Sequence, residues 1–190
     1  NEFISLQFLD RDFLINNGVY MAYRINTFEE YLSSYEASKN TEKFWGEIAD
    51  EFEWFKKWDQ VQSGDFNNCD IKWFEGGELN ITVNCIDRHA RKNPNKEAVR
   101  FVSNDPKEKN TTYSYSQLLE EVSKVSHALK PMGVKKGDRV VLYMPMVPEL
   151  LFSVLACARI GAIHSVVFGG FSAQALASRI DDAGANCILT

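Results

Sequence analysis

The chain has 190 residues, enough for one ordinary domain or slightly more, and its 45% hydrophobic and 25% charged content is that of a soluble globular protein. A net charge of −5 argues against a nucleic-acid or anionic-membrane surface as partner. The four cysteines, at 69, 85, 157 and 187, form no CxxC pair and no zinc spacing, and reduced thiols point to a cytoplasmic protein.

Residues 1–20 contain an apolar run broken by Asp10, Arg11 and Asp12. They therefore lack the continuous apolar stretch of a signal peptide or a membrane span. Met21 is a candidate natural start, and residues 1–20 are then expected to be a non-native or disordered extension. Residues 21–80 are expected to be a helical and connector region. Within it, Phe28, Tyr31, Leu32 and Tyr35 recur at helical spacing, and a helix start falls at Thr41-Glu42. Trp45, Ile48, Phe52 and Phe55 mark one apolar face of a helix running to Phe55. Val61–Gly77 is polar and carries turn residues (Ser63-Gly64-Asp65, Gly76-Gly77), so it reads as a connector anchored by Trp58 and Trp73.

Residues 81–190 are expected to begin an α/β domain. Asn80–Ala90 fits a strand or a helix by periodicity, and Asn84 ahead of Cys85, Ile86 and His89 favours the helix. Ala98–Val102 and Thr111–Tyr113 are short strands around a charged loop, Asn104–Asn110. Ser114 with Gln117 makes a capping box for a helix whose buried stripe is Leu118, Val122, Val125 and Leu129. Pro131 and Gly133 mark its end.

Arg139–Tyr143 is a continuous apolar strand. Pro148 suits a first helical turn, Glu149–Ile160 is apolar nearly all round, and Gly161 closes that helix. His164–Phe168 is a second strand, expected to be buried. Ser172 caps a helix over Ala173–Ala183, and Asn186–Thr190 opens a third strand. Strand, helix, strand, helix, strand with short connections implies a parallel βαβαβ sheet with right-handed crossovers. The fold class is α/β: a helical, irregular N-terminal segment followed by that sheet unit.

Ligands of open parallel sheets bind beyond the carboxyl ends of the strands. Two loops reach that edge, Met144–Pro148 and Phe168–Ser172. Gly169 and Gly170 let a ligand approach the backbone and permit positive φ, while Ser172 and the helix start offer N–H groups to a phosphate or nucleotide edge. The same Gly-Gly pair also reads as a plain tight turn from strand to helix, and the residues alone leave both readings open. Dinucleotide, phosphate-loop and nucleophile-elbow motifs are absent. His89, His127 and His164 have no sequence-adjacent partner and read as structural, as do the Asp181-Asp182 pair on a solvated helix face and the cysteines, of which Cys157 sits in the most apolar helix.

Lys136-Gly-Asp-Arg-Val140, Tyr143-Met-Pro-Met-Val-Pro-Glu-Leu150 and Leu155–Ser172, with its Ala-Arg-Ile-Gly-Ala and His-Ser-Val-Val-Phe-Gly-Gly-Phe-Ser runs, resemble the acyl-adenylate-forming superfamily. The last stretch is similar to its acetyl- and propionyl-CoA synthetase branch, as are Phe44-Trp-Gly46, Asn80-Ile81 and Asp87-Arg88. The resemblance covers Tyr23–Thr190. It implies the N-terminal portion of an AMP-forming acetate–CoA ligase, with residues 81–190 opening the large adenylate-forming domain. Such an enzyme uses acetate, ATP with Mg²⁺, and CoA as small-molecule substrates and cofactors. The family's Phe-Gly-Gly turn lies along the CoA channel, which carries over to Phe168, Gly169 and Gly170. The family's phosphate loop, acetate-pocket tryptophan, ribose-binding aspartate and C-terminal lysine would all follow Thr190. The resemblance thus implies no catalytic or metal-binding residue in this chain, and no ligase activity for it alone. A ligase for propionate or another short acyl chain, and a non-catalytic α/β module, are the alternatives.

Overall fold

A computed structural model describes residues 25–190. The expected extension over residues 1–20 and the candidate start at Met21 lie outside the described residues. The chain divides into two compact units, one ending at Leu79 and one running Asn80–Thr190. No helix among the described residues is long and apolar enough to cross a membrane.

The first unit opens with two helices, α1 (Phe28–Ser38) and α2 (Thr41–Ala49). The side chain of Thr27 accepts from the Glu30 N–H while Glu30 reaches back to the Thr27 N–H, a complete capping box for α1. The cap of α2 is Asn40, whose Oδ1 accepts from the Lys43 N–H. The expected helix to Phe55 stops early. α2 ends at Ala49, and its buried residues are Phe44 and Ala49 instead of Trp45 and Ile48. Phe52 and Phe55 lie beyond it and are exposed. Past its end the Ala49 carbonyl accepts from the Phe52 N–H at 3.1 Å and from the Trp54 Nε1–H at 2.8 Å, which together replace the bond a longer helix would have made internally.

The expected connector Val61–Gly77 is an antiparallel hairpin, β1 (Gln60–Asp65) with β2 (Asp70–Glu75), paired in register from Gln60 opposite Glu75 to Asp65 opposite Asp70. Its polar residues hid it, because only Val61 is fully buried and the ladder needs backbone, not apolar side chains. Gly64 has φ +74°, and a Cβ there would lie 1.5 Å from the Asp70 carbonyl oxygen, so the hairpin closes only over glycine. Trp58 and Trp73 do act as anchors. Trp54, Trp58 and Phe74 pack with ring centroids 4.9–5.5 Å apart, and Trp45 meets Trp73 edge-on at 6.2 Å.

The second unit starts with a helical stretch in which a π-helical segment, Val83–Asp87, runs directly into α3 (Arg88–Lys92). Asn84 does not cap it; Asn84 is buried inside the π segment. Asn80 takes the turn-forming role, its Oδ1 accepting from the N–H and hydroxyl of Thr82. Strands β3 (Glu97–Phe101) and β4 (Thr111–Ser114) pair antiparallel. Helix α4 (Tyr115–Leu129) begins at the Ser114–Gln117 capping box, with both reciprocal bonds formed. Its buried positions are Leu118, Val122, Ser126 and Leu129, and Val125 packs beside them half-buried. Ser126 holds its place by donating its hydroxyl to the Val122 carbonyl at 2.7 Å.

The sheet follows: β5 (Arg139–Met144), α5 (Pro148–Ile160), β6 (Ile163–Phe168), α6 (Ala173–Ala183) and β7 (Cys187–Leu189). The strands are parallel in the order β6-β5-β7, with Val140 opposite both His164 and Cys187. The first crossover moves to one side of β5 and the second passes back to the other. Val140, Leu142 and Met144 face the core that α4 and α5 build with Phe152, Ala156 and Cys157. Alternation turns Val141 and Tyr143 to the opposite face, toward α6. α5 is buried on more than one side, as its all-round apolar sequence predicts, and Gly161 ends it at φ +76°. β6 departs from expectation: Val167 alone in it is fully buried, and His164 is exposed, because β6 is an edge strand.

Candidate functional site

The hydrogen-bonded ladder between β5 and β6 ends at Met144 opposite Phe168. Beyond it the chain makes a four-residue turn, Phe168-Gly-Gly-Phe171, closed by the Phe171 N–H donating to the Phe168 carbonyl at 3.0 Å. Ser172 then caps α6, its Oγ accepting from the Ala175 N–H. The predicted site residues Phe168, Gly169 and Gly170 thus share one turn at the carboxyl edge of the sheet. Phe168 is 60% exposed, and both glycines are exposed.

The reason for the glycines differs from the expected one. Neither has positive φ. A Cβ on Gly169 would sit 3.2 Å from the Met144 carbonyl carbon and 3.3 Å from the Pro145 nitrogen. A Cβ on Gly170 would sit 2.5 Å from the Phe168 ring. Gly169 therefore lets the turn lie against the backbone that follows β5, and Gly170 makes room for the Phe168 side chain.

Three groups brace this turn. The Tyr143 hydroxyl donates to the carbonyls of Gly169 (3.0 Å) and Phe171 (2.8 Å), sharing one proton between two acceptors. The Phe168 and Phe171 rings meet edge-to-face at 6.0 Å. The Arg179 guanidinium lies 4.6 Å from the centre of the Phe171 ring. Sequence reading missed Tyr143. It read as one apolar strand residue among five, and only the strand pairing brings its hydroxyl to the turn.

The turn holds no side chain able to act as base or nucleophile. It offers an aromatic face and bare backbone, which suits binding, not bond-making. Strand order adds a second locus. The direction of winding reverses between β5 and β7, and open α/β sheets bind ligands at such a reversal. That crevice opens between the carboxyl ends of β5, at Met144, and β7, at Leu189, with the Phe168 turn on the other side of β5. Strand order cannot be read from element order, so the sequence pointed only at the edge.

His89 stacks on Tyr115 with centroids 5.0 Å apart, and His127 Nδ1 lies 2.9 Å from the Ser123 carbonyl. Asp181 and Asp182 are exposed. Cys157 is fully buried, and that burial pushes its thiol up to about 11. Among the described residues, no three His, Cys, Asp or Glu side chains converge to hold a metal ion. The firmest polar cluster is a brace: Arg159 forms a two-pronged pair with Asp87 at 2.7 and 2.8 Å and donates to Thr82 Oγ1 at 3.2 Å. That pairing holds the guanidinium pKa above its ordinary value. Asn80 Nδ2 donates to the carbonyls of Ala158 and Arg159, capping the end of α5.

A model described as AMP-binding enzyme matches residues 86–190, more than half of the chain. The chain belongs to the AMP-binding enzyme family. A second model, described as acetyl-coenzyme A synthetase N-terminus, matches residues 31–85. Relatives named acetyl-coenzyme A synthetase agree with this family membership. The one from Psychrobacter cryohalolentis is 47% identical over 164 residues, covering 85% of this chain and 25% of that protein. The one from Phycomyces blakesleeanus is 44% identical over 179 residues, covering 93% of this chain and 26% of that protein. This family member therefore spans about a quarter of the length of the curated relatives it matches. A solved acetoacetyl-CoA synthetase from Streptomyces lividans has the same fold over 93% of this chain and 26% of its own, with a TM-score of 0.76 at 21% identity.

Proposed function

We propose that the full-length protein is an AMP-forming acetate–CoA ligase and that this chain is its N-terminal portion. One observation carries the reading. An acetyl-coenzyme A synthetase N-terminus and an AMP-binding enzyme segment follow one another without a gap, at residues 31–85 and 86–190. In the proposed reaction an acetate oxygen attacks the α-phosphorus of ATP, giving acetyl-adenylate and pyrophosphate. The CoA sulfur then attacks the acetyl carbon, forming the thioester and releasing AMP.

Within this scheme Phe168, Gly169 and Gly170 line the CoA path. Support comes from the exposed Phe168 ring, which offers a face to adenine, and from the exposed backbone of the turn at Gly169 and Gly170. ATP enters the proposed reaction with Mg²⁺, and no residue of this chain is assigned to the ion. A cytoplasmic location accords with four free cysteine thiols.

The test is acetate-dependent ATP–pyrophosphate exchange, followed by CoA-dependent AMP release, with the full-length protein. Exchange with acetate exceeding that with propionate and butyrate is expected, and exchange with none of the three would end the reading. The 190-residue chain alone is expected to form no AMP. Phe168→Ala in the full-length protein is expected to raise the KM for CoA while leaving exchange unchanged.

A further inference from the structure

We propose that Tyr143 is a positioning residue for CoA: its hydroxyl holds the Phe168–Phe171 turn in the form that the ligand meets. The inference rests on the reading of that turn as the CoA path.

The ladder between β5 and β6 stops at Met144 and Phe168. Past this point no sheet hydrogen bond restrains Gly169, Gly170 or Phe171, and two adjacent glycines are the residues least able to hold a conformation by themselves. The turn's own closing bond and the Ser172 cap come from the same stretch of chain and travel with it. The Tyr143 hydroxyl comes from the central strand. Val140, Val141 and Leu142, immediately before it, are fully buried and paired on both sides, so its origin is fixed. It reaches the carbonyls of Gly169 and Phe171, one on either side of Gly170, at 3.0 and 2.8 Å. That spacing fixes both the height of the turn above the sheet edge and the direction of the Gly170 peptide. Phe168, whose ring fills the space over Gly170, is oriented as a consequence. Phenylalanine at 143 keeps the ring and removes only the donor. Since the two carbonyls belong to exposed residues, water can satisfy them, and the turn gains freedom without leaving a buried polar group unpaired.

The experiment compares Tyr143→Phe, Phe168→Ala and the parent in the full-length protein. In Tyr143→Phe the KM for CoA is expected to rise about three- to tenfold, the span of one modest hydrogen bond. Acetate-dependent ATP–pyrophosphate exchange, which needs no CoA, is expected to stay within about twofold. Amide hydrogen exchange of the peptide covering Phe168–Ser172 is expected to quicken, with α4 unchanged. A KM for CoA that rises in Phe168→Ala but not in Tyr143→Phe overturns the positioning role and leaves the CoA path standing. A KM unchanged in both variants overturns the CoA path, and the positioning role with it. Equal loss of exchange and of the CoA step, with faster amide exchange throughout, overturns it in favour of a purely structural tyrosine.

Discussion

Arg159→Met tests how much of the second unit depends on one charged contact. The substitution keeps the aliphatic stem and removes the guanidinium. Three hydrogen bonds are lost, two to Asp87 and one to Thr82 Oγ1. The Asp87 carboxylate, with only 23% of its side chain exposed, loses its cation. Breaking a fully buried pair costs about 3–5 kcal/mol and an exposed pair about 0–1 kcal/mol. For side chains three-quarters covered, a cost of about 2 kcal/mol follows. The Asn80 bonds to the α5 carbonyls use backbone acceptors and survive, so they do not add to the loss. The assay is urea unfolding followed by far-ultraviolet circular dichroism. Tryptophan fluorescence reports on the first unit, where all four tryptophans, at 45, 54, 58 and 73, lie. Asp87→Asn and the double variant complete a cycle, with a coupling of about 1 kcal/mol or more expected. A loss below about 0.5 kcal/mol, or additive single variants, would refute the claim that this pair acts as a buried brace.

Ser114→Ala removes one half of the capping box on α4 and is expected to cost about 1 kcal/mol in the same unfolding experiment. Gly64→Ala places a Cβ against the Asp70 carbonyl at a residue with φ +74°, so the hairpin is expected to open, with a loss of more than about 2 kcal/mol and a red shift in tryptophan emission from Trp73. The Cys157 thiol is raised from 9.0 to about 11, so above the lower value the unfolded chain releases a proton that the folded chain holds. Stability is therefore expected to be unaffected by this group below that window and to fall as pH rises through it, by at most about 1.4 kcal/mol per unit, with a shallower slope in Cys157→Ala.

The α/β half was legible because its signals are local. Ser114 and Gln117, Pro148, Gly161 and Ser172 each sit where a helix starts or stops, and each acts there through its own backbone neighbours. The hairpin was not legible, since Val61 alone of its residues is fully buried and the alternation that marks a strand never forms. The end of α2 was hidden for a related reason: the Trp54 indole that helps to satisfy the Ala49 carbonyl acts across five residues, and no capping motif announces it. At the turn, the residues at 168–170 were readable as a motif. Their physical roles were not, because Gly169 answers to Met144 and Pro145, and Tyr143 answers to Gly169, across a strand pairing that only the fold supplies.

The order of the sheet has a consequence for how the protein is made. The central strand β5 is synthesised before either strand that flanks it. At about 5–20 residues per second, Val140 waits on the order of several seconds for Cys187 to appear. Throughout that interval the run Val140-Val-Leu-Tyr-Met144 is apolar, rich in strand formers and unpaired along at least one edge, the signature of a segment that seeks other chains. A chain released before Cys187 should sediment in larger share than one that reaches Thr190.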